Sequence, residues 1–219
     1  MRIAIAGAGN VGRAIARELL LNGHQVLLID RDPKALKLES VPNAEWLMAD
    51  ACEIASLDNA KLNNCQVLVA ATGDDKVNLV ASLLGKTEYG VPRVVARVNH
   101  PKNEWLFDSS WGVDVAVSTP RIISALVEEA VSVGDVVRLF SFKKGQANLV
   151  ELTLPDGSQC LGKTVEEIPL PENASLAAIV RDGRVISPKP HDVFSAGDEL
   201  LFVASSKAED QLKQCFIAQ

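Results

Sequence analysis

The hexapeptide Gly7-Ala8-Gly9-Asn10-Val11-Gly12 sets glycines at its first, third and sixth places, and an acidic side chain, Asp30, follows 21 residues after Gly9. Between a strand and a helix this spacing suits a pyrophosphate. Gly7 makes the tight turn, Gly9 lets backbone approach the phosphates, and Gly12 lets the helix pack closely on the strand. The opening helix turn, with Ala8, Asn10 and Val11 in the loop, supplies unpaired N–H groups and positive potential for the anion. Asp30 would accept hydrogen bonds from the 2′- and 3′-hydroxyls of an adenosine ribose, and its charge would repel a 2′-phosphate. Arg31 beside it leaves an opening for the phosphorylated cofactor, NADP.

Further candidates lie at the ends of later strands. Asp50 and Ala51 close the third strand, where an adenine ring would lie. Thr72 and Gly73, followed by Asp74 and Asp75, offer a hydroxyl and backbone N–H groups at the start of the next helix. Arg97, the only cation at the end of the fifth strand, has the reach of a phosphate. Taken singly, each reads more readily as loop or cap chemistry than as a site.

The elements that must position these residues follow from periodicity. Arg2-Ile3-Ala4-Ile5-Ala6 is a short apolar run ending at Gly7, as expected of a strand buried on both faces. Val11, Ile15 and Leu19 recur every four residues, an amphipathic helix that Asn22-Gly23 ends. Strands are expected at 25–29, 45–49, 67–71, 93–98 and 113–117, and helices at 54–61, 75–89 and 104–111. The alternation predicts an α/β, doubly wound parallel sheet of the Rossmann type. Thr119-Pro120 then opens another helix, with Thr as cap and Pro at its first position. Its apolar rows, Ile122, Leu126 and Ala130 beside Ile123, Val127 and Val131, make an unusually wide stripe. Packing on a surface beyond its own sheet and packing within the chain both account for it.

Gly134-Asp135 marks a boundary, giving domains 1–134 and 135–219. Beyond it the period changes to two, at Val137, Leu139 and Phe142 and then along residues 149–154 up to a Pro155-Asp156-Gly157 turn. Thr164 and Glu167 have capping-box spacing for a short helix over 164–168. Strands at 176–180 and 184–186 flank an Asp182-Gly183 hairpin turn, and a strand at 199–204 precedes a final helix at 207–215. The second domain is thus a small α+β module.

Composition excludes several functions. With 47% apolar and 23% charged residues the chain is globular. The net charge of -6 and the lack of a Lys/Arg block argue against nucleic acid as a partner. Its longest apolar runs fall far short of the ~20 residues of a bilayer-spanning helix, and a strand pattern follows Met1 at once, so no leader is expected and the cytosol is the expected compartment. Cys52, Cys65, Cys160 and Cys215 are dispersed, without disulfide or zinc spacing, and read as reduced, mostly buried thiols. The rival function is an NAD(P)-dependent oxidoreductase with a small C-terminal domain. It needs an acid–base group near the crevice. Of the three histidines, His24 lies at the far end of its strand, His191 in a turn of the small module, and His100 near the fifth strand's end without a Lys, Tyr or His partner. A ligand-driven switch, with no catalytic residue, fits better.

Taken together these segments resemble the RCK (KTN) regulators of potassium transport, of the Trk/Ktr cytoplasmic-subunit type, over nearly the whole chain. The resemblance rests on Gly7 to Gly12, Asp30-Arg31, Ala49-Asp50-Ala51, Ala71-Thr72-Gly73-Asp74-Asp75-Lys76-Val77-Asn78-Leu79 and Ala96-Arg97-Val98-Asn99. It extends through Gly134-Asp135-Val136-Val137-Arg138-Leu139, Leu161-Gly162-Lys163-Thr164, Ile179-Val180-Arg181-Asp182-Gly183 and Gly197-Asp198. It implies a homodimer whose helix 120–132 crosses to the partner, assembly into a ring, and a membrane potassium channel or transporter subunit as partner on the cytoplasmic face of the plasma membrane. It also implies that NAD(H), ATP or ADP, held by Gly7 to Val11, Asp30, Thr72-Gly73 and Arg97, changes the ring's shape and so the channel's conductance. Ktr-type ATP sensors often carry Arg where this chain has Asn10, which favours NAD or NADH, with ADP or ATP as the other ligands. The resemblance further offers Glu128 and Glu129 as holders of a divalent cation between subunits, although surface solvation accounts for them better. It also offers cyclic di-AMP as a ligand of the second domain, near Asn173, Ala174 and Arg181.

Overall fold

The strand pattern is local in origin, as β1 (Arg2–Ala6) shows. Ile3 and Ile5 point to one face of a sheet and Ala4 and Ala6 to the other, each set buried in a different apolar cluster. The neighbouring strand β2 (Gln25–Asp30) divides in the same way, Val26 and Leu28 on one side and Leu27 and Ile29 on the other. The computed structural model describes residues 1–131, 133–142 and 147–217, of which 129, 130 and 141 are described by backbone alone. It divides into two compact units, Met1–Pro120 and Arg121–Gln219.

The first unit continues through α1 (Asn10–Leu21), β3 (Glu45–Met48), α2 (Ile54–Asn59), β4 (Val67–Ala70), α3 (Asp75–Thr87), β5 (Arg93–Val98) and β6 (Val115–Ser118). Its six strands are parallel in the order β3-β2-β1-β4-β5-β6. The order reverses at β1, where Ala6 is flanked by Ile29 and Ala70. That seam is where open α/β sheets part their loops and leave a crevice at the carboxyl ends of the strands.

Two expected connections differ. Residues 104–111 are not an α-helix but two 3₁₀ turns, Pro101–Leu106 and Ser109–Trp111. Asp108 breaks the run by accepting the Ser110 N–H at 2.9 Å, and Gly112, left-handed at φ 72°, ends it. Two further 3₁₀ turns, Pro33–Ala35 and Leu38–Ser40, join β2 to β3. Helix α2 stops early because Lys61 turns left-handed at φ 51°.

The second unit holds an antiparallel sheet of β7 (Val136–Ser141), β8 (Asn148–Thr153), β9 (Ala174–Arg181), β10 (Arg184–Ile186) and β11 (Glu199–Ala204), in the order β10-β9-β11-β8-β7, and the helix α5 (Ser206–Phe216). Phe194, Phe202 and Phe216 are fully buried at its centre, with the Phe194 and Phe216 rings edge to face at 5.5 Å. The hairpin turn has both Asp182 and Gly183 left-handed, the geometry that matches the twist of two tightly joined strands. Thr164 and Glu167 form the expected capping box, on a 3₁₀ turn, Val165–Glu167.

Helix α4 (Thr119–Val131) starts where the sequence expects it; Ser132, the last residue of the expected helix, lies outside the described residues. Ile123, Leu126, Val127 and Val131 on it are each more than half exposed. Compactness divides the chain just inside α4, whereas the change of period in the sequence sets the boundary after Gly134.

Candidate functional site

The glycine loop is shaped by three different constraints. Gly7 has φ 106°, and a Cβ there would stand 2.8 Å from the Thr72 nitrogen, so only glycine lets β1 turn beside the end of β4. Gly12 lies beneath the loop, where a Cβ would stand 1.8 Å from the Gly7 carbonyl oxygen. Gly9 precedes α1, and a Cβ there would meet nothing within 4 Å. The space above Gly9 is therefore open to a ligand, while Gly7 and Gly12 serve the packing that makes the loop.

This loop forms one wall of a crevice of about 560 Å³, within the range of small-molecule sites. The crevice is lined by Gly7, Gly9, Asn10 and Val11 from the loop, Asp30 and Arg31 from the end of β2, and Asp50 and Ala51 beyond β3. Thr72 and Gly73 beyond β4 and Arg97 on β5 complete it. The structure thus brings eleven of the thirteen residues singled out from the sequence to one place, the exceptions being Ala8 and Gly12. Ala8 is buried, and its N–H donates to Asp30 Oδ2 at 2.7 Å, which ties the glycine loop to the end of β2. Asp30 Oδ1 accepts the Asp32 N–H at 2.9 Å, so the carboxylate is held from two sides. Ile29, Ala49, Ala71 and Val77 add apolar lining, and Asp74 a further carboxylate.

Three groups behind the crevice were not singled out from the sequence. Arg13, only 8% exposed, donates to the Ala8 carbonyl at 2.5 Å, to Asn10 Oδ1 at 2.7 Å and to the Ala35 carbonyl at 3.4 Å. Its charge has no carboxylate partner among the described residues, so it adds to the positive potential of the loop. Asn78 is fully buried. It accepts the Thr72 N–H at 2.9 Å and the Thr72 hydroxyl at 2.7 Å, and donates to the carbonyls of Thr72 and Arg97 at 3.2 and 2.9 Å. Asp75 accepts the backbone N–H groups of Asn99 and His100 and the side-chain amides of Asn99 and Asn103. Burial would raise its carboxyl, but these four donors outweigh it and hold the group below the ordinary carboxylate range. The segments after β4 and within β5 that look like ligand motifs in the sequence therefore hold Thr72 and Arg97 in place as well.

Charge at the crevice mouth is paired. Arg31 Nη1 meets Asp50 Oδ2 at 3.1 Å, and Asp50 Oδ1 accepts the Cys52 N–H at 2.9 Å. That N–H, then Arg31, hold the Asp50 carboxyl below its usual range against the effect of burial. Burial, reinforced by Asp50, pushes the Cys52 thiol up to about 11. Arg97 differs, for its Nε is buried without a hydrogen-bond partner among the described residues. An orphaned guanidinium donor, an open approach over Gly9 and a fixed acid at the end of β2 fit a ligand with phosphate at one end and ribose hydroxyls at the other.

The TrkA-N domain family model matches residues 3–119, the stretch that carries this sheet and its crevice. The chain belongs to the TrkA family. The TrkA-C domain model matches residues 149–216 of the second unit. A Trk system potassium uptake protein TrkA of Mycobacterium tuberculosis is 55% identical over 217 residues, 99% of each chain. A TrkA homolog of Archaeoglobus fulgidus is 29% identical over 219 residues, 99% of this chain and 50% of its own. Among solved structures, a GsuK channel bound to NAD shares the fold at a TM-score of 0.66 and 18% identity, covering 98% of this chain and 39% of its own.

In this TrkA-family chain the second unit has a hollow of its own, about 540 Å³, which Asn173 lines together with Pro171, Lys207 and Gln211. Ala174 begins β9 next to it. Arg181 is engaged elsewhere, its guanidinium held at 2.6 and 2.8 Å by the fully buried Asp198. Glu128 is exposed on α4, and the side chain of Glu129 lies outside the described residues. No described helix is long and apolar enough to cross a membrane.

Proposed function

We propose that this chain is the nucleotide-binding regulatory subunit of a Trk-type potassium transporter, with NAD or NADH in the crevice of its first domain. The observation that carries the proposal is the coincidence of two facts. The relative named a potassium uptake protein matches this chain end to end at 55% identity, and the crevice offers a phosphate loop, a held ribose acid and an unpaired arginine donor in one place.

In this reading the N–H groups of Gly9, Asn10 and Val11 bind the pyrophosphate, Asp30 accepts from the adenosine ribose hydroxyls, and the space by Asp50 and Ala51 takes the adenine. Thr72, Gly73 and Arg97 form the far wall, and Arg97 turns its unpaired donor to a phosphate or a ribose. Asn10, held by Arg13, leaves no guanidinium over the loop for a terminal phosphate, which supports NAD or ADP over ATP. The exposed apolar face of α4 supports its role as the homodimer helix, so that the functional boundary lies after Gly134 and dimers assemble into a ring on the cytoplasmic face of the transporter. A nucleotide that binds two ring conformations unequally then shifts the transporter between states without chemistry. If cyclic di-AMP enters the second domain, it meets Asn173 rather than Arg181, which Asp198 already holds.

Calorimetry with NAD, NADH, ADP and ATP on the wild type and on Asp30→Ala tests the reading. Hydrogen bonds to a charged acceptor contribute about 1.5–3 kcal/mol, so the substitution should weaken adenosine-ribose ligands by roughly 10- to 100-fold. A wild type that binds none of them, or that oxidises NADH steadily with a small substrate, would overturn it.

A further inference from the structure

Arg31 is the residue through which a 2′-phosphate would enter this crevice, and the structure shows what restrains it. It follows the ribose acid directly and lines the crevice, and its side chain is 68% exposed, so its head is free to move except for one partner. That partner, Asp50, is the better anchored of the two, 24% exposed and fixed through Oδ1 by the Cys52 N–H. From these positions we infer that Asp50 is a specificity-determining residue: by engaging Arg31 it denies a 2′-phosphate the guanidinium that follows the ribose acid and confines the crevice to adenosine with a free 2′-hydroxyl. The inference rests on the dinucleotide reading of the crevice and adds to it the discrimination between two cofactors.

The physical argument concerns what a 2′-phosphate would displace. In sheets of this type an arginine beside the ribose position admits the phosphorylated cofactor, and a carboxylate alone excludes it. Here both are present, and the sequence by itself leaves the outcome open. To bind the phosphate, Arg31 must leave Asp50, and the departing pair exposes the Asp50 carboxylate to the incoming dianion. Asp30 stands on the other side, and Asp74 also lines the crevice. Arg31 bound to phosphate would offset one charge while the ligand meets up to three carboxylates. An exposed ion pair is weak in itself, so the discrimination lies in the carboxylate that Arg31 uncovers when it turns to the phosphate, and it needs both Arg31 and Asp50. Replacing Asp50 by Asn keeps an oxygen for the Cys52 N–H, removes one carboxylate and frees Arg31.

The test is calorimetry of NAD and NADP on the full chain as wild type, Asp50→Asn, Arg31→Gln and the double variant, with tryptophan fluorescence confirming that each is folded. The wild type should prefer NAD by 100-fold or more. Asp50→Asn should raise the NADP-to-NAD affinity ratio about tenfold, Arg31→Gln alone should not raise it, and the double variant should lose most of the gain. The gain should also shrink at high salt. A ratio that does not rise in Asp50→Asn, or a rise that survives in full without Arg31, would overturn the assignment while leaving the dinucleotide reading intact. A wild type that binds neither cofactor overturns both.

Discussion

Asn78 offers a sharp test of how the crevice is held. It is fully buried, and its amide makes four hydrogen bonds to just two residues, Thr72 and Arg97. In Asn78→Ala the Thr72 carbonyl keeps the Asn99 amide at 3.0 Å, and the Thr72 hydroxyl can turn to the Asp74 carbonyl at 3.1 Å. The Thr72 N–H and the Arg97 carbonyl lose their partner in the interior. Each orphaned group costs about 1–3 kcal/mol, so the variant should lose about 2–6 kcal/mol of domain stability, a large share of the ~5–15 kcal/mol typical of a domain. Asn78→Asp keeps the two accepted bonds but turns a carboxylate on two carbonyl oxygens, and should be at least as damaging at neutral pH. The three tryptophans, Trp46, Trp105 and Trp111, all lie in the first unit, so intrinsic fluorescence during denaturant titration follows that unit alone. Because Thr72 and Arg97 line the crevice, nucleotide affinity should fall as well. A loss below about 1 kcal/mol with unchanged binding would refute the view that this side chain braces the far wall.

The glycine loop separates packing from contact. Gly12→Ala drives a methyl into the Gly7 carbonyl and should cost about 1–3 kcal/mol or more together with nucleotide binding, whereas Gly9→Ala, with open space around it, should melt normally yet bind poorly; calorimetry and denaturation on both variants would reveal the opposite pattern if the roles were reversed. The Asp75 carboxyl is lowered in the folded chain, so its contribution is complete above the ordinary carboxylate value near about 4 and is lost as pH falls below it. Asp75→Asn should accordingly be less stable at pH 7 and approach the wild type toward pH 3, and a constant difference across that range would count against the assignment. In the second unit, Asp198→Ala leaves the Ser195 N–H without its acceptor and Arg181 without its carboxylate, though still on the Val193 carbonyl, and should cost about 2 kcal/mol, discounted because Arg181 is partly exposed. Hydrogen exchange along β9 and β11 would show it, and unaltered protection there would rule it out.

Much of this was legible in the chain because the signals are local. Strands β1, β2 and β4 of the first sheet announce themselves as apolar runs ending at a small or acidic residue, and β1 with its glycines sets both the fold and the crevice. The turn at Asp182-Gly183 and the capping box at Thr164 are equally self-contained. What the sequence hid depends on distant neighbours. Arg13 reads as one polar residue of an amphipathic helix, and its burial follows only once the 33–35 turn closes over it. Asn78 reads as one residue of an expected helix, and becomes a brace because β5 lies beside β4. The run 104–111 has helical spacing, but Pro101, Asp108 and Gly112 punctuate it into 3₁₀ turns. Arg31 was legible as a cation and illegible as a captive one, since Asp50 lies beyond the end of the next strand.

The seam between β1 and β4 also has a bearing on how the chain is made. Asp30 and the glycine loop are synthesised together, but the edge of β1 that faces β4 waits for a strand that begins at Val67. Until then the nascent chain presents the edge of an apolar strand with unpaired backbone groups, a template for pairing with whatever extended chain is near. A fragment ending before Val67 should for that reason form oligomers on the ribosome's product rather than a ligand-ready half site. The crevice is complete only once β4 carries Thr72 beside Gly7 and β5 adds Arg97.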